Sequence, residues 1–251
     1  MILLAIDSAG ESCSAALWDP ARPGPVEQGL LAFRALEPAR GQAERLIELV
    51  ETVLADAGLP YAALGALAVN NGPGSFTGLR SAVAAARGLA LAANLGVIAV
   101  SSLEALAAGV RRDPLRSGAV LAALDARRGE VYAQSFGPDL KPLPGALGAP
   151  RAMPPQEVAA AVAEGALAGA GPLRLVGSGA HLVQAQLPES VPAVVEAVQA
   201  DARLVALCAA RRLAAGEQPA PGFAVRPLYL RAPDARPPAP LLARQRAVAA
   251  S

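Results

Sequence analysis

Apolar residues along this chain fall into short unbroken runs and longer stretches where they recur every third or fourth position, and the two patterns alternate. Ile2 to Ile6 is wholly apolar and ends at Asp7, which predicts a strand buried on both faces. Turn-forming residues from Ser8 to Glu11 separate it from Ser12 to Trp18, so the two runs predict a hairpin, and Glu27 to Phe33 predicts a third antiparallel strand. From Arg40 to Ala57 the spacing changes. Leu46, Ile47, Val50, Val53, Leu54 and Ala57 form one stripe of a helix that Gly58 and Pro60 stop. Ala63 to Asn70 predicts a buried strand, Phe76 to Asn94 a helix rich in Ala and Gly on every side, Gly96 to Val100 another strand, and Ser102 to about Arg111 a helix.

Strand, strand, strand, helix, strand, helix, strand is the order expected of an actin-like ATPase lobe, a ribonuclease H-like α/β unit. From Arg116 the pattern restarts. Ala119 to Leu124, Glu130 to Phe136 and Leu173 to Val176 predict strands, Gln156 to Glu164 and Ala200 to Ala214 predict helices, and Asp139 to Pro155 is a Pro- and Gly-rich connection. We therefore expect an α/β chain of two lobes. The first spans residues 1–112, the second, smaller and degenerate, spans 113–216 with its last helix packing back on the first, and 217–251 form an extended tail. No internal repeat shows in the sequence.

Composition narrows the chemistry. Apolar residues make up 53% of the chain but aromatics only 3%, which suits closely packed small-residue helices better than an aromatic-lined ligand cage. A net charge of +1 leaves no overall electrostatic footprint for a polyanion. Lys141 is the only lysine and lies in the Pro-rich stretch, so no Walker A loop exists. Cys13 and Cys208, at no metal-ligand or redox spacing, read as small buried hydrophobes in a reducing compartment. Met1 to Ile6 lacks the basic region of a secretory signal. Ser81 to Val110 carries only Arg87 and Glu104 as charges, yet Arg87 sits well inside it and Asn94-Leu95-Gly96 breaks it. The expectation is a soluble cytoplasmic protein with no membrane partner.

Four places offer chemistry, each with a structural alternative that the residues leave open. Asp7, with Ser8 in the turn after it, either holds a hydrated metal ion near a phosphate or bonds its own turn. In Asn71-Gly72-Pro73-Gly74-Ser75-Phe76-Thr77-Gly78-Leu79-Arg80, Gly72 and Gly74 permit close backbone approach and Ser75 or Thr77 can cap a helix whose N-terminus attracts anions. Alternatively, the glycines there only serve packing. Pro73 and Thr77 stand where a G-x-S-x-G nucleophile elbow needs glycines, and the lone histidine, His181, reads as a surface or turn residue, so a serine hydrolase is not supported. Asp125-Ala126-Arg127-Arg128-Gly129-Glu130-Val131-Tyr132 joins two strands with clustered charges, and Gly177-Ser178-Gly179-Ala180-His181 follows a strand as a second phosphate loop or a plain turn.

Ile2 to Trp18 (ILLAIDSAGESCSAALW), Gly72 to Ala93 (GPGSFTGLRSAVAAARGLALAA), Asp125 to Tyr132 (DARRGEVY) and Pro227 to Arg231 (PLYLR) occur in the order found in the TsaB (YeaZ-like) family, and GPGSFTGLR is the specific block. The chain resembles that family over its whole length, weakest from Phe136 to Arg174 and after Arg231. The resemblance implies an actin-like paralogue of TsaD, the subunit that transfers threonylcarbamoyl to adenosine next to the tRNA anticodon. Where TsaD carries N-H-L-x-x-H with two metal-binding histidines, this chain has Ser101-Ser102-Leu103-Glu104-Ala105-Leu106, with Ser102 and Leu106 in place of the histidines. It therefore implies a non-catalytic scaffold without a catalytic residue or metal site of its own. The implied partners are a TsaD-type subunit and a TsaE-type ATPase, with tRNA met only through the complex and a homodimer when the chain is alone. No cofactor is expected in the isolated chain, with ATP or ADP at the complex interface. By analogy the interface lies on the two helices, with Leu46, Val50, Val53, Phe76, Leu79, Arg80, Val83 and Arg87, while Asp7, Ser8, Gly72, Gly74, Ser75 and Thr77 are candidate remnants of phosphate loops. Many members carry a histidine where this chain has Gln42, so no function is rested on that position.

Two readings compete with the scaffold. An active actin-like ATPase or phosphotransferase draws on Asp7 and the Gly-rich loops, and a metal-dependent peptidase stands further off. The arginines of the C-terminal end (Arg226, Arg231, Arg236, Arg244, Arg246) belong either to a solvated tail or to an RNA contact.

Overall fold

The computed structural model describes residues 1–10, 12–22, 26–36, 45–111, 118–167 and 172–231. The opening hairpin is β1 (Ile2–Asp7) and β2 (Cys13–Trp18), followed by a single helical turn α1 (Val26–Gly29) and β3 (Leu30–Leu36). The third strand thus begins three residues later than the apolar run predicts, because α1 takes the start of it. Then come α2 (Leu46–Asp56), β4 (Leu64–Gly72), α3 (Phe76–Ala93), β5 (Gly96–Ser101) and α4 (Ser102–Val110). Residues 40–44, where the sequence places the start of α2, lie outside the described residues, as does Gln42.

The second half contains β6 (Val120–Arg127), β7 (Glu130–Phe136), β8 (Arg151–Met153), α5 (Pro155–Ala161), β9 (Leu173–Val176), α6 (Ala180–Gln184), β10 (Ala193–Glu196), α7 (Ala202–Ala214) and β11 (Ala220–Pro221). The sequence reading missed β8, α6 and β10. Each is only three to five residues long, too short for either periodicity to register.

Among the described residues there are two sheets, ordered β11-β5-β4-β1-β2-β3 and β10-β9-β6-β7-β8. Setting β11 aside, they share one plan. A three-stranded antiparallel meander (β1-β2-β3, β6-β7-β8) is extended from its first strand by two parallel ones (β4 and β5, β9 and β10). This is a structural duplication with no detectable sequence repeat.

Helices α2 and α3 cover one face of the first sheet, burying Leu46, Val50, Val53, Ala82, Val83 and Ala86 against Leu4, Ile6, Leu67 and Val69. The other face is covered by α7, through Leu204, Val205, Cys208 and Ala209. The second sheet is covered on one face by α5 and α6 and on the other by α4, through Leu103, Leu106, Ala107 and Val110 against Val120, Ala122, Phe136 and Val176. The last helix of each half therefore packs on the sheet of the other half, and α4 and α7 touch where they cross.

Local caps hold these helices in place. Ser101 Oγ accepts from Glu104 N at the start of α4, Asp201 Oδ1 accepts from Arg203 N and Leu204 N at the start of α7, and Asn94 closes α3 in the left-handed conformation. Cys13 and Cys208 are free thiols, both buried, as the sequence reading expects.

Past α7 the chain does not leave the body as an extended tail. β11 pairs with β5, Val225 is buried in the first core cluster, and the segment continues to Arg231 in contact with protein. Residues 232–251, with Arg236, Arg244 and Arg246, lie outside the described residues. No helix among the described residues is long and apolar enough to cross a membrane.

The crossed packing makes a specific expectation. Leu106→Ala removes an almost fully buried side chain from the layer between α4 and the second sheet and is expected to cost about 2–5 kcal/mol in urea denaturation. Leu182→Ala, on the exposed side of α6, is expected to change stability by less than about 0.5 kcal/mol.

Candidate functional site

Strands β1, β4 and β5 run parallel, and open α/β sheets carry their ligands outside the carboxyl ends of such strands. Here those ends supply Asp7 at the end of β1 with Ser8 after it, Asn70 and Asn71 in β4, and Ser102 after β5. Asp7, Ser8, Asn70 and Ser102 are all buried. Asp7 Oδ1 accepts from Ala9 N at 2.8 Å. Asn70 Oδ1 accepts from Gly72 N at 3.0 Å and from Ser102 Oγ at 2.9 Å. Asp7 Oδ2, Ser8 Oγ and Asn70 Nδ2 make no hydrogen bond among the described residues. Burial moves the Asp7 carboxyl up from 3.8 to about 6; the Ala9 amide and the nearby Asn70 side chain oppose the rise, and the charge of Asp201 adds to it.

The glycine-rich loop packs directly on this cluster. Ser75 N donates to Ala9 O at 2.7 Å. A Cβ at Gly74 would overlap the Ala9 carbonyl, and one at Gly78 the Ser8 carbonyl. Ser75 Oγ caps α3 by accepting from Gly78 N at 3.4 Å, so it is Ser75 rather than Thr77 that serves as the cap. The glycines let two backbones touch. Gly72, with φ +113, lies between Leu79 and the Leu228 carbonyl.

The second half repeats the turn. Asp125 ends the regular part of β6 as Asp7 ends β1, and its Oδ1 accepts from Arg127 N at 2.7 Å. Asp125 N donates to Ser178 Oγ at 3.0 Å, Gly179 N to Ala123 O, and Ala180 N to Gly177 O. Arg127, Arg128 and Gly129 all have positive φ, and Arg128-Gly129 is the two-residue turn of the β6–β7 hairpin. His181 is exposed on α6.

The amides of Ala9, Gly72, Ser75, Gly78, Asp125, Gly179 and Ala180 are all donated within the chain, whereas Asp7 Oδ2 stays unpartnered at the carboxyl end of β1.

The sequence-predicted partner helices need a correction. Leu46, Val50, Val53, Leu79 and Val83 are buried in the chain's own core. An amphipathic stripe on a helix beside a sheet is consumed by that sheet, so these five present no surface to a partner. Of the remaining three, Arg87 is half-buried and donates to Val225 O through Nε at 3.0 Å. Phe76 and Arg80 are exposed, with the Arg80 guanidinium 3.9 Å from the Phe76 ring centroid. The outer face of α3 continues through Ala84 and Gly88, both exposed, to Leu91, which is 86% exposed. No apolar periodicity marks this face in the sequence, because Arg80, Ala84 and Gly88 are polar or small.

Ser102 and Leu106, the pair at the position of the TsaD histidines, lie one turn apart on α4. Ser102 bonds Asn70, and Leu106 fills the layer against the second sheet. Among the described residues, no group of three or more His, Cys, Asp or Glu side chains is placed to hold a metal ion. A cavity of about 390 Å³ lies beside β5 between Val97, Ala99, Arg212, Glu217 and Arg226, and reaches Asn71 at the end of β4.

Two lobes of one strand plan with exchanged last helices make a mixed α/β fold with two sheets. Residues 37–145 match the family described as TsaD, tRNA N6-adenosine threonylcarbamoyltransferase. The chain is 45% identical over 134 residues to the tRNA threonylcarbamoyladenosine biosynthesis protein TsaB of Escherichia coli, covering 53% of each chain. It is 34% identical over 209 residues to an uncharacterised Mycobacterium bovis protein, covering 83% of each. A Pseudomonas aeruginosa crystal structure, described as similar to the peptidase YeaZ, superposes with a TM-score of 0.72 at 29% identity, over 92% of this chain and 99% of that one. These matches support a TsaB/YeaZ-like protein. Its match spans about half the length of the TsaB relatives from Escherichia coli and Haemophilus influenzae.

Two outcomes test this account of the site. Gly78→Ala is expected to lose about 2–3 kcal/mol in urea denaturation, whereas Gly88→Ala, where a Cβ meets nothing within 4 Å, is expected to gain roughly 0.5–1 kcal/mol. Because folding raises the Asp7 pKa from 3.8 to about 6, the native state holds the proton that the unfolded chain has already released. Stability therefore falls as pH rises from 4 to about 6 and stays lower above it. Asp7→Asn is expected to remove that slope, gaining about 3 kcal/mol on wild type between pH 4 and pH 7 by urea denaturation.

Proposed function

We propose that this protein is a non-catalytic accessory subunit in threonylcarbamoyladenosine biosynthesis on tRNA, acting in the cytoplasm by binding a TsaD-type transferase. The observation that carries it is the use made of α4. Where the resemblance to TsaD puts two metal-binding histidines, this chain has a serine bonded to Asn70 and a leucine inside the interlobe core. Neither leaves a ligand atom facing a substrate, so the transfer chemistry belongs to the partner.

The docking surface is the outer face of α3, with Phe76, Arg80, Ala84, Gly88 and Leu91. Exposed Ile47 on α2 adds to the apolar area. In the absence of the partner the same face pairs two copies of this chain, since exposed apolar surface of this kind self-associates. A TsaE-type ATPase joins the assembled pair, nucleotide sits at the interface of the complex rather than in this chain, and tRNA is met through the complex.

The chain is mixed with a TsaD-type protein from the same source and the mass read by light scattering. A 1:1 heterodimer is expected, weakened at least about ten-fold by Phe76→Glu or Leu91→Glu with an unchanged circular dichroism spectrum. No association at micromolar concentration, or modification of tRNA by the isolated chain, sinks the reading.

The unpartnered atoms of Asp7, Ser8 and Asn70 favour a second reading, an active actin-like ATPase or phosphotransferase. Calorimetry with Mg-ATP on the isolated chain separates the two, with submicromolar affinity supporting the second.

A further inference from the structure

Three of the sequence blocks singled out above (GPGSFTGLR, DARRGEVY and PLYLR) lie in different parts of the fold, and the C-terminal segment brings them together. After β11 the chain turns against α3 at Gly222, where a Cβ would press on Ala90 Cβ. It is then held to the first lobe residue by residue. Arg87 donates to Val225 O. Asn71 grips the strap from both sides, donating through Nδ2 to Arg226 O at 3.1 Å and accepting from Leu228 N at 2.7 Å through its own carbonyl. Tyr229 stands with its ring 5.7 Å from that of Phe76 and its hydroxyl 3.1 Å from Arg80 Nε.

Two residues later the contacts change lobe. Arg231 donates through Nη1 to Ala126 O at 3.1 Å and through Nη2 to Arg127 O at 3.4 Å and to the Glu130 carboxylate. All three acceptors belong to the bulged β6–β7 turn, where positive φ at Arg127 and Arg128 interrupts the ladder.

We infer that residues 219–231 are an interlobe latch, in which Arg231 fastens the β6–β7 turn of the second lobe to the face of α3 that carries Phe76 and Arg80. The planar guanidinium is what the site requires: two carbonyls and a carboxylate are reached at once only by several donors in a fixed fork. Among the described residues, the strap's hydrogen bonds to the second lobe are those of Arg231, whereas Val225, Arg226, Leu228 and Tyr229 are bonded to the first lobe and β11 pairs with β5 there. The strap therefore stays with α3 when the latch opens. Because Tyr229 shares the Phe76–Arg80 cluster, anything that binds that cluster in only one state of the latch shifts the lobe arrangement, and the lobe arrangement shifts that binding equally. The inference goes beyond the accessory-subunit reading and its test needs no partner protein.

The test uses the full chain with spin labels at Ala92→Cys on α3 and Gln184→Cys on α6; Cys13 and Cys208 are buried and stay unlabelled. Arg231→Ala is expected to broaden or shift the interlobe distance distribution and to raise hydrogen exchange at 125–131 at least about five-fold, with 202–214 unchanged. Arg231→Lys, which keeps the charge but not the fork, is expected to fall between, and Tyr229→Phe to leave the distances unchanged. An unaltered distribution in Arg231→Ala, with exchange changes confined to 229–231, overturns the latch. If Arg231→Ala fails to fold, Glu130→Gln serves in its place. A distribution and an exchange pattern identical to wild type there overturn it equally.

Discussion

Nine residues, Ser102–Val110, have apolar contacts on two sides, with α7 above the first sheet and with the open face of the second. Neither sheet is closed without a helix from the other half, because α7 makes the reciprocal crossing. Helix α4 has almost no freedom as a result. Six of its nine residues, Leu103, Ala105, Leu106, Ala107, Ala108 and Val110, are apolar and buried, and Ala105 and Ala108 stand where α7 comes close. A helix packed on two sides has little surface left for chemistry, and the Ser102/Leu106 pair follows from that: one polar contact at the capped end, one apolar contact a turn later.

The same constraint accounts for the buried polar cluster. With α4 held against β4 and β5, Ser102 meets Asn70, and with Gly74 and Gly78 letting the first turn of α3 rest on the Ser8 and Ala9 carbonyls, the ends of the three parallel strands are covered by backbone. In an open α/β sheet this is where a ligand sits. Here the loops meet each other instead, and their amides turn inward. Asp7 pays for that closure with a raised pKa, held partly protonated near pH 6.

Helices α2 and α3 show why one periodicity supports two conclusions. A stripe of Leu46, Val50 and Val53, or of Leu79 and Val83, marks a buried face and says nothing of what buries it. The sheet of the same lobe does. What remains outside is a row that periodicity had not marked, since Arg80, Ala84 and Gly88 are polar or small and only Phe76 and Leu91 are large. The C-terminal segment follows the same logic. Its proline content argues against regular structure, and it has little, but hydrogen bonds from Arg87, Asn71 and Arg231 to its backbone or from its side chains hold it in place.

By itself the sequence determined the order of the longer elements, the strand–turn character of the Asp7 and Gly72–Arg80 blocks, the absence of a Walker loop, and the family resemblance that the comparisons bear out. Those properties are local: an apolar run, a glycine beside a capping serine, or a missing lysine is legible without neighbours. The tertiary structure alone decided that the two halves share one strand plan, that α4 and α7 are exchanged between them, which side of α3 is outside, and that Tyr229 and Arg231 join α3 to the β6–β7 turn. These depend on contacts between different elements, some of them between residues more than a hundred positions apart, such as Arg80 with Tyr229 and Arg231 with Ala126. A side chain does not record in its own neighbourhood which distant carbonyl or ring will meet it.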